Sequence, residues 1–241
     1  MTPNINIGTS NWQHPEWQGT FYPADLRSHA WLNFYANAFS HVEISESFYE
    51  LPERARLLHW LEATPDSFVF TLIAPRTITH DKKLKNCENQ TNQLLTRLDG
   101  MEHRIKNVLF RLPTHWHCNL RRLEVFLSRL PTNFRYVLEF GDASWYTESV
   151  YAVLTEHNAT LCIQDSDVVS SPLVSTADSV YVRLNGPKAR KTASYHAQTL
   201  RGWGVKARGW QRKSKQVFLS FGGPMPSAAL KNAQRMRRYC E

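Results

Sequence analysis

Three acids stand on or just after short apolar runs: Glu43, Glu139 and Asp165. Carboxylates brought to one place can share a proton, act as acid and base, or hold a divalent metal ion. Two arginines, Arg111 and Arg183, occupy similar positions. A guanidinium grips a phosphate or a carboxylate through two parallel hydrogen bonds. The same residues also fit a second arrangement, ion pairs buried across the fold, such as Glu139 with Arg183. Glu139 follows Val137-Leu138, and an acid buried among apolar residues needs a partner. Thr9, Ser10, Trp12, His80 and Asn185 fall near the ends of other runs and are candidates for ligand contacts. Gly222-Gly223 offers bare backbone N–H groups to a phosphate, or simply a turn ahead of Pro224. No G-x-S-x-G, H-E-x-x-H or P-loop pattern is present, and His115-x-His117 reads as a surface loop.

These residues need a scaffold. Eight short apolar, β-branched or aromatic runs read as strands: 4–9, 41–45, 68–74, 107–112, 136–140, 160–164, 179–185 and 216–221. Several are apolar on consecutive positions, as suits strands covered on both faces. Helical signals lie between most of them, at 27–39, 52–63, 88–103, 144–157, 195–212 and 227–239, and Asn119 can cap a helix running through Leu123 and Phe126. The segment 166–178 holds Pro172 and many serines and reads as a loop. Eight strands alternating with helices in 241 residues predict a TIM-type (β/α)8 barrel, one domain over 1–241, with the sixth helix short or missing. Active faces of such barrels form at the C-terminal ends of the strands, where the candidates above fall.

Composition sets further bounds. The chain is 42% apolar and 12% aromatic, which excludes a disordered or collagen-like chain. No apolar run reaches the length of a membrane span, and the opening residues carry no secretory signal, so a cytoplasmic protein with no membrane partner is expected. The cysteines Cys87, Cys118, Cys162 and Cys240 are far apart and read as reduced thiols. The net charge of +8 is uneven. Residues 179–241 carry 14 Lys and Arg against one acid, whereas residues 1–178 carry 15 basic and 20 acidic residues. Lys188, Arg190, Lys191, Arg208, Arg212 and Lys213 lie among Tyr195, His196, Trp203 and Trp210. Basic groups with aromatic neighbours suit an anionic partner such as nucleic acid. A solvated basic helix with its tryptophans packed inward fits the same pattern.

Gly8-Thr9-Ser10-Asn11-Trp12, then Trp17, Gly19 and Phe21-Tyr22-Pro23, resemble the opening motif of the YecE-like family, domain of unknown function 72. Val42-Glu43-Ile44 with Ser47-Phe48-Tyr49, Glu139-Phe140 with Ser144-Trp145, and Tyr181-Val182-Arg183-Leu184 with Gly186 follow in the family's order. The resemblance covers nearly the whole chain and implies a TIM-type barrel, but no activity. Against the family pattern this chain has Ile73 in place of a lysine, Arg111 in place of glutamine, and Gly141 and Asp142 in place of arginine and histidine. Asn185 stands for a histidine, and Gly222-Gly223 for asparagines. Fewer cationic and proton-transfer groups thus remain at the expected mouth. The leading expectation is a barrel that binds an anion, either nucleic acid or a phosphorylated small molecule. One alternative is a hydrolase or isomerase acting on a phosphodiester or sugar phosphate, with Glu43, Glu139 and Asp165 as acid, base or metal ligands. The other is a non-catalytic scaffold for a protein partner.

Overall fold

The computed structural model describes residues 5–165, 171–186, 194–213 and 215–240. Eight parallel strands close into a barrel in chain order: β1 (Ile5–Thr9), β2 (His41–Ile44), β3 (Val69–Ile73), β4 (Ile105–Arg111), β5 (Arg135–Glu139), β6 (Thr160–Asp165), β7 (Ser179–Leu184) and β8 (Gln216–Phe221). Strand β8 pairs back onto β1, with Gly8 beside Ser220. The helices are α1 (Trp31–Ala38), α2 (Arg54–Glu62), α3 (Glu88–Leu98), α4 (Leu120–Leu127), α5 (Glu148–Glu156), α6 (Ala197–Arg212) and α7 (Pro226–Cys240). Among the described residues no helix joins β6 to β7, as the serine-rich segment predicts.

The helices form because each carries an apolar stripe at helical spacing that the strands' outward residues cover. In α4, Leu123, Phe126 and Leu127 are buried, and the Asn119 side chain accepts a hydrogen bond from the N–H of Arg122, as expected of a cap. The aromatic opening of the chain packs on itself beneath α1. Tyr22 stacks on Trp31 with centroids 4.9 Å apart, and Trp17 and Tyr35 are fully buried. Tyr35 also ties the first two strands, accepting from Thr9 N at 2.8 Å and donating to the His41 carbonyl at 3.1 Å. Gly8 lies so near that carbonyl that a Cβ would overlap it.

Two boundaries differ from the sequence reading. Helix α3 stops at Leu98 because Asp99 is extended and Gly100 takes a positive φ of 78°. The stretch expected as one helix over 144–157 is divided. A 3₁₀ turn at Ala143–Trp145 ends at Tyr146, and α5 begins anew under the Thr147 cap.

Inside the barrel, Val69, Ile73, Leu109, Val137, Cys162, Tyr181 and Phe218 form a small separate core. Polar residues share that interior. His41 and Asn107 both hydrogen-bond Thr71 Oγ1, at 2.9 and 3.1 Å. No disulfide links the four cysteines. No helix among the described residues is long and apolar enough to cross a membrane.

Candidate functional site at the barrel mouth

Four charged side chains meet near the C-terminal ends of β2, β4, β5 and β7. Arg183 lies at the centre. Its Nε and Nη2 each donate to Glu43, to Oε1 and Oε2, both at 3.0 Å. Its Nη1 donates to Glu139 Oε2. Tyr181 Oη donates to Glu43 Oε1 at 2.9 Å, and Ser10 Oγ to Glu43 Oε2 at 2.7 Å. Glu43 therefore accepts four hydrogen bonds, which fills the lone-pair sites of a carboxylate. Arg111 completes the group, donating from Nε to Glu139 Oε1 at 3.1 Å. Two acids and two arginines leave the cluster electrically balanced, as burial demands.

Electrostatics fix the charge states. Burial alone would raise the Glu43 carboxyl, but Arg183 and the Ser10 and Arg183 hydrogen bonds outweigh it and bring the pKa down to about 2. Glu139 is likewise opposed by burial and lowered by Arg183 and Arg111. Both are carboxylates at neutral pH. Below them, burial lowers the His41 imidazole to about 4, against a partly offsetting Glu43 charge, so His41 is neutral.

Above the cluster opens a cavity of about 540 Å³ lined by Ser10, Ser45, Glu46, Phe48, Tyr49, Ile73, Arg111, Arg183, Asn185 and Gly223, and Glu46 is paired with Arg56. Arg111 is its prominent cation. Its side chain is 38% exposed, and its guanidinium lies over the Phe48 ring at 5.5 Å. Apart from the Nε bond to Glu139, Arg111 makes no side-chain hydrogen bond among the described residues, so its Nη groups stay available. Tyr49 stands at the rim, 77% exposed. The rim is tight at Gly222, where a Cβ would come within 2.6 Å of both Asn185 Oδ1 and Ser10 Oγ.

The residues expected from sequence fall into three groups. Glu43, Glu139, Arg111, Arg183, Ser10 and Asn185 are brought together at the mouth. His80 flanks it, its ring 5.0 Å from Phe48 and its Nδ1 bonded to Thr79 Oγ1 at 3.0 Å. Others belong elsewhere. Thr9 is buried, bonded to Tyr35 and to the Asn11 carbonyl. Trp12 is buried edge-on against Trp60. The expected convergence of three carboxylates is corrected: Glu43 and Glu139 meet across Arg183, while no metal-ligating group of three His, Cys, Asp or Glu side chains forms among the described residues. Asp165 instead ends β6, its carbonyl accepting from Asn185 N and Tyr195 Oη.

Asp142 turns out to be a cap, accepting from Ser144 N and Oγ at 3.0 and 2.7 Å. Gly222 offers no free N–H to a phosphate, because that group donates to the Leu184 carbonyl at 3.1 Å. On α6, Trp203 is buried and Trp210 is packed against the core, and Tyr195 is buried too. The buried Trp203 and Tyr195 do not offer faces to bases, while Trp210 is partly buried. Arg208 is half-buried, and Arg212 and Lys213 are exposed, on the outside of the barrel. Lys188, Arg190 and Lys191 lie outside the described residues. The sequence reading did not single out Phe48 or Tyr49 as site residues. Their signal was their place directly after β2, on the active face of a barrel.

The protein resembles others of known sequence and structure. UPF0759 protein YecE of Escherichia coli K12 is 34% identical over 145 residues, which cover 60% of this chain. The chain spans about half of that relative's length, 51%. UPF0759 protein YunF of Bacillus subtilis is 22% identical over an alignment that covers 96% of this chain and 93% of that protein. The crystal structure of a DUF72 family protein from Thermotoga maritima superposes with a TM-score of 0.84 at 23% identity, covering 97% of this chain and 98% of that one. One from Enterococcus faecalis gives 0.80 at 17% identity, covering 98% and 95%. These likenesses establish the barrel. The family model described as protein of unknown function DUF72 matches residues 6–241. This chain belongs to the DUF72 family.

Proposed function

We propose that the barrel mouth binds a small anionic ligand, a phosphate ester or a carboxylate, docked on Arg111. The observation that carries this reading is the state of Arg111. Glu139 and Phe48 hold its guanidinium in place from one side, while its Nη groups are left for a ligand in the cavity. A guanidinium fixed in advance loses little freedom on binding, and its planar fork matches an oxyanion. Arg183 differs: its guanidinium is committed to two carboxylates. Asn185 and Ser45 supply neutral polar groups at the wall, and Phe48 and Tyr49 an aromatic side.

The alternative of acid–base hydrolysis gains less support. Glu43 and Glu139 are held ionised at neutral pH, so neither is poised to donate a proton. The four bonds to Glu43 also leave it little capacity to accept one.

A thermal-shift titration with inorganic phosphate, then with sugar phosphates and dicarboxylates, tests the reading. A ligand at ten times its Kd stabilises the native state by about 1.4 kcal/mol, enough to move Tm by a few degrees. The shift is expected in the native protein and absent in Arg111→Gln. A shift that survives in Arg111→Gln places the ligand elsewhere, and no shift with any of these anions overturns the proposal.

A further inference from the structure

The two helices that follow β7 and β8 carry a surface that the mouth does not use. In α6, Arg201, Arg208 and Arg212 recur at helical spacing on one face. In α7, Lys231, Arg235 and Arg238 do the same. All six are exposed except Arg208, which is half-buried. The helices are close neighbours. The Arg201 guanidinium lies 5.6 Å over the Tyr239 ring of α7, and a Cβ on Gly204 would meet the Tyr239 carbonyl oxygen at 2.9 Å.

The charged residues of these two helices are all basic. Elsewhere several surface arginines are paired, Arg56 with Glu46, Arg76 with Asp81, Arg129 with Glu88 and Arg135 with Asp178, while the exposed Arg27, Arg54 and Arg121 make no ion pair among the described residues. On the α6–α7 face none of the six basic side chains makes an ion pair among the described residues, and neither helix contains an acid. Arg208 and Arg212 are four residues apart, as are Lys231 and Arg235, so like charges face each other along each helix. Such pairs destabilise a helix. A polyanion laid across them would turn that repulsion into attraction.

We infer that the outer face of α6 and α7 binds the phosphate backbone of a nucleic acid. Five of the six basic residues are arginines, whose fork matches phosphate oxygens. The buried Trp203 removes base stacking, which makes backbone contact the mode of recognition. An anionic membrane fits less well. A helix that lies on a membrane needs a broad apolar flank beside its basic stripe, and Val205 is the one large apolar side chain exposed on these two helices among the described residues. The 16 residues of α6 extend over about 24 Å, room for roughly seven base pairs of duplex.

Fluorescence anisotropy of the full chain with labelled duplex DNA and labelled single-stranded RNA tests this. If about six phosphates are engaged, affinity falls about 10³-fold between 50 and 200 mM salt. Neutralising Arg208, Arg212 and Arg235 to Gln is expected to lower the slope of log affinity against log salt by about three. Arg76→Gln with Arg129→Gln is expected to leave it unchanged. The substituted residues lie at the surface, and matched thermal melts verify folding. Absence of binding at the lower salt overturns the inference. So does a slope that the α6–α7 variant does not change, or binding to phosphatidylserine vesicles without binding to nucleic acid. Nucleic-acid binding retained in Arg111→Gln separates this surface from the mouth.

Discussion

Replacing Arg183 by methionine removes the centre of the buried cluster and keeps most of the side-chain volume. Arg183, Glu43 and Glu139 are all buried, and the substitution deletes three hydrogen bonds at once. Removing one partner of a buried pair costs about 3–5 kcal/mol, chiefly because a charge is left uncompensated. Here two carboxylates lose their shared cation and repel each other, so the upper part of that range is expected at pH 7. Domains of this kind are stable by about 5–15 kcal/mol, so the variant is severely weakened. The pH dependence carries the mechanism. Without Arg183 the carboxyl pKa values rise, and one proton taken up relieves the repulsion. At 1.36 kcal/mol per pKa unit, the difference between variant and native protein should shrink by about 1–3 kcal/mol from pH 7 to pH 5. Urea unfolding followed by circular dichroism at both pH values measures this. The triple variant Arg183→Met, Glu43→Gln, Glu139→Gln is expected to recover much of the loss, because no charge is then buried. A loss below about 1 kcal/mol, or an equal loss at both pH values, refutes the view that charge balance holds this interior together.

Further outcomes follow from other parts of the barrel. His41 is held neutral with a pKa of about 4, while the unfolded chain protonates this histidine near 6.5. Native stability is therefore full above pH 6.5 and falls by roughly 3 kcal/mol as the pH drops to 4, and His41→Asn is expected to flatten that part of the profile; an unchanged slope in the variant contradicts the assignment. Glu43 adds a second, lower window, with stability present above about 4.5 and lost towards pH 2. Asn119→Ala removes the cap of α4 and should cost about 1 kcal/mol, read as a lowered urea midpoint.

Much of the fold was legible because the barrel writes itself in a strong signal. Strands covered on both faces demand consecutive apolar residues, and all eight runs became strands within about two residues at each end. Helix ends were harder. At Gly100 the chain turns through a positive φ, and at Tyr146 it leaves the helix, and neither feature interrupts the apolar spacing on which the reading relied.

The site was legible in its charged members and in Ser10 and Asn185, but not in its aromatic side, Phe48 and Tyr49. Glu43, Glu139, Arg111 and Arg183 stand out in a sequence because ionised groups at strand ends need a reason to be there. Their pairing depends on which strands face each other across the barrel, and the sequence reading left ion pairs and an active centre equally open. Trp12 illustrates the opposite difficulty. It follows β1 directly, yet its indole turns into the wall against Trp60. Side-chain direction in a loop has no period to read. Asp142 shows the same limit: it follows β5 towards the mouth, yet its side chain is committed as a cap to Ser144.

The most direct test of the mouth as an anion site is anomalous diffraction from crystals soaked in tungstate, a heavy analogue of phosphate. A peak is expected in the cavity within hydrogen-bonding reach of the Arg111 Nη atoms, and its loss in Arg111→Gln. Peaks confined to the α6–α7 surface, or a mouth peak that persists in Arg111→Gln, contradict it.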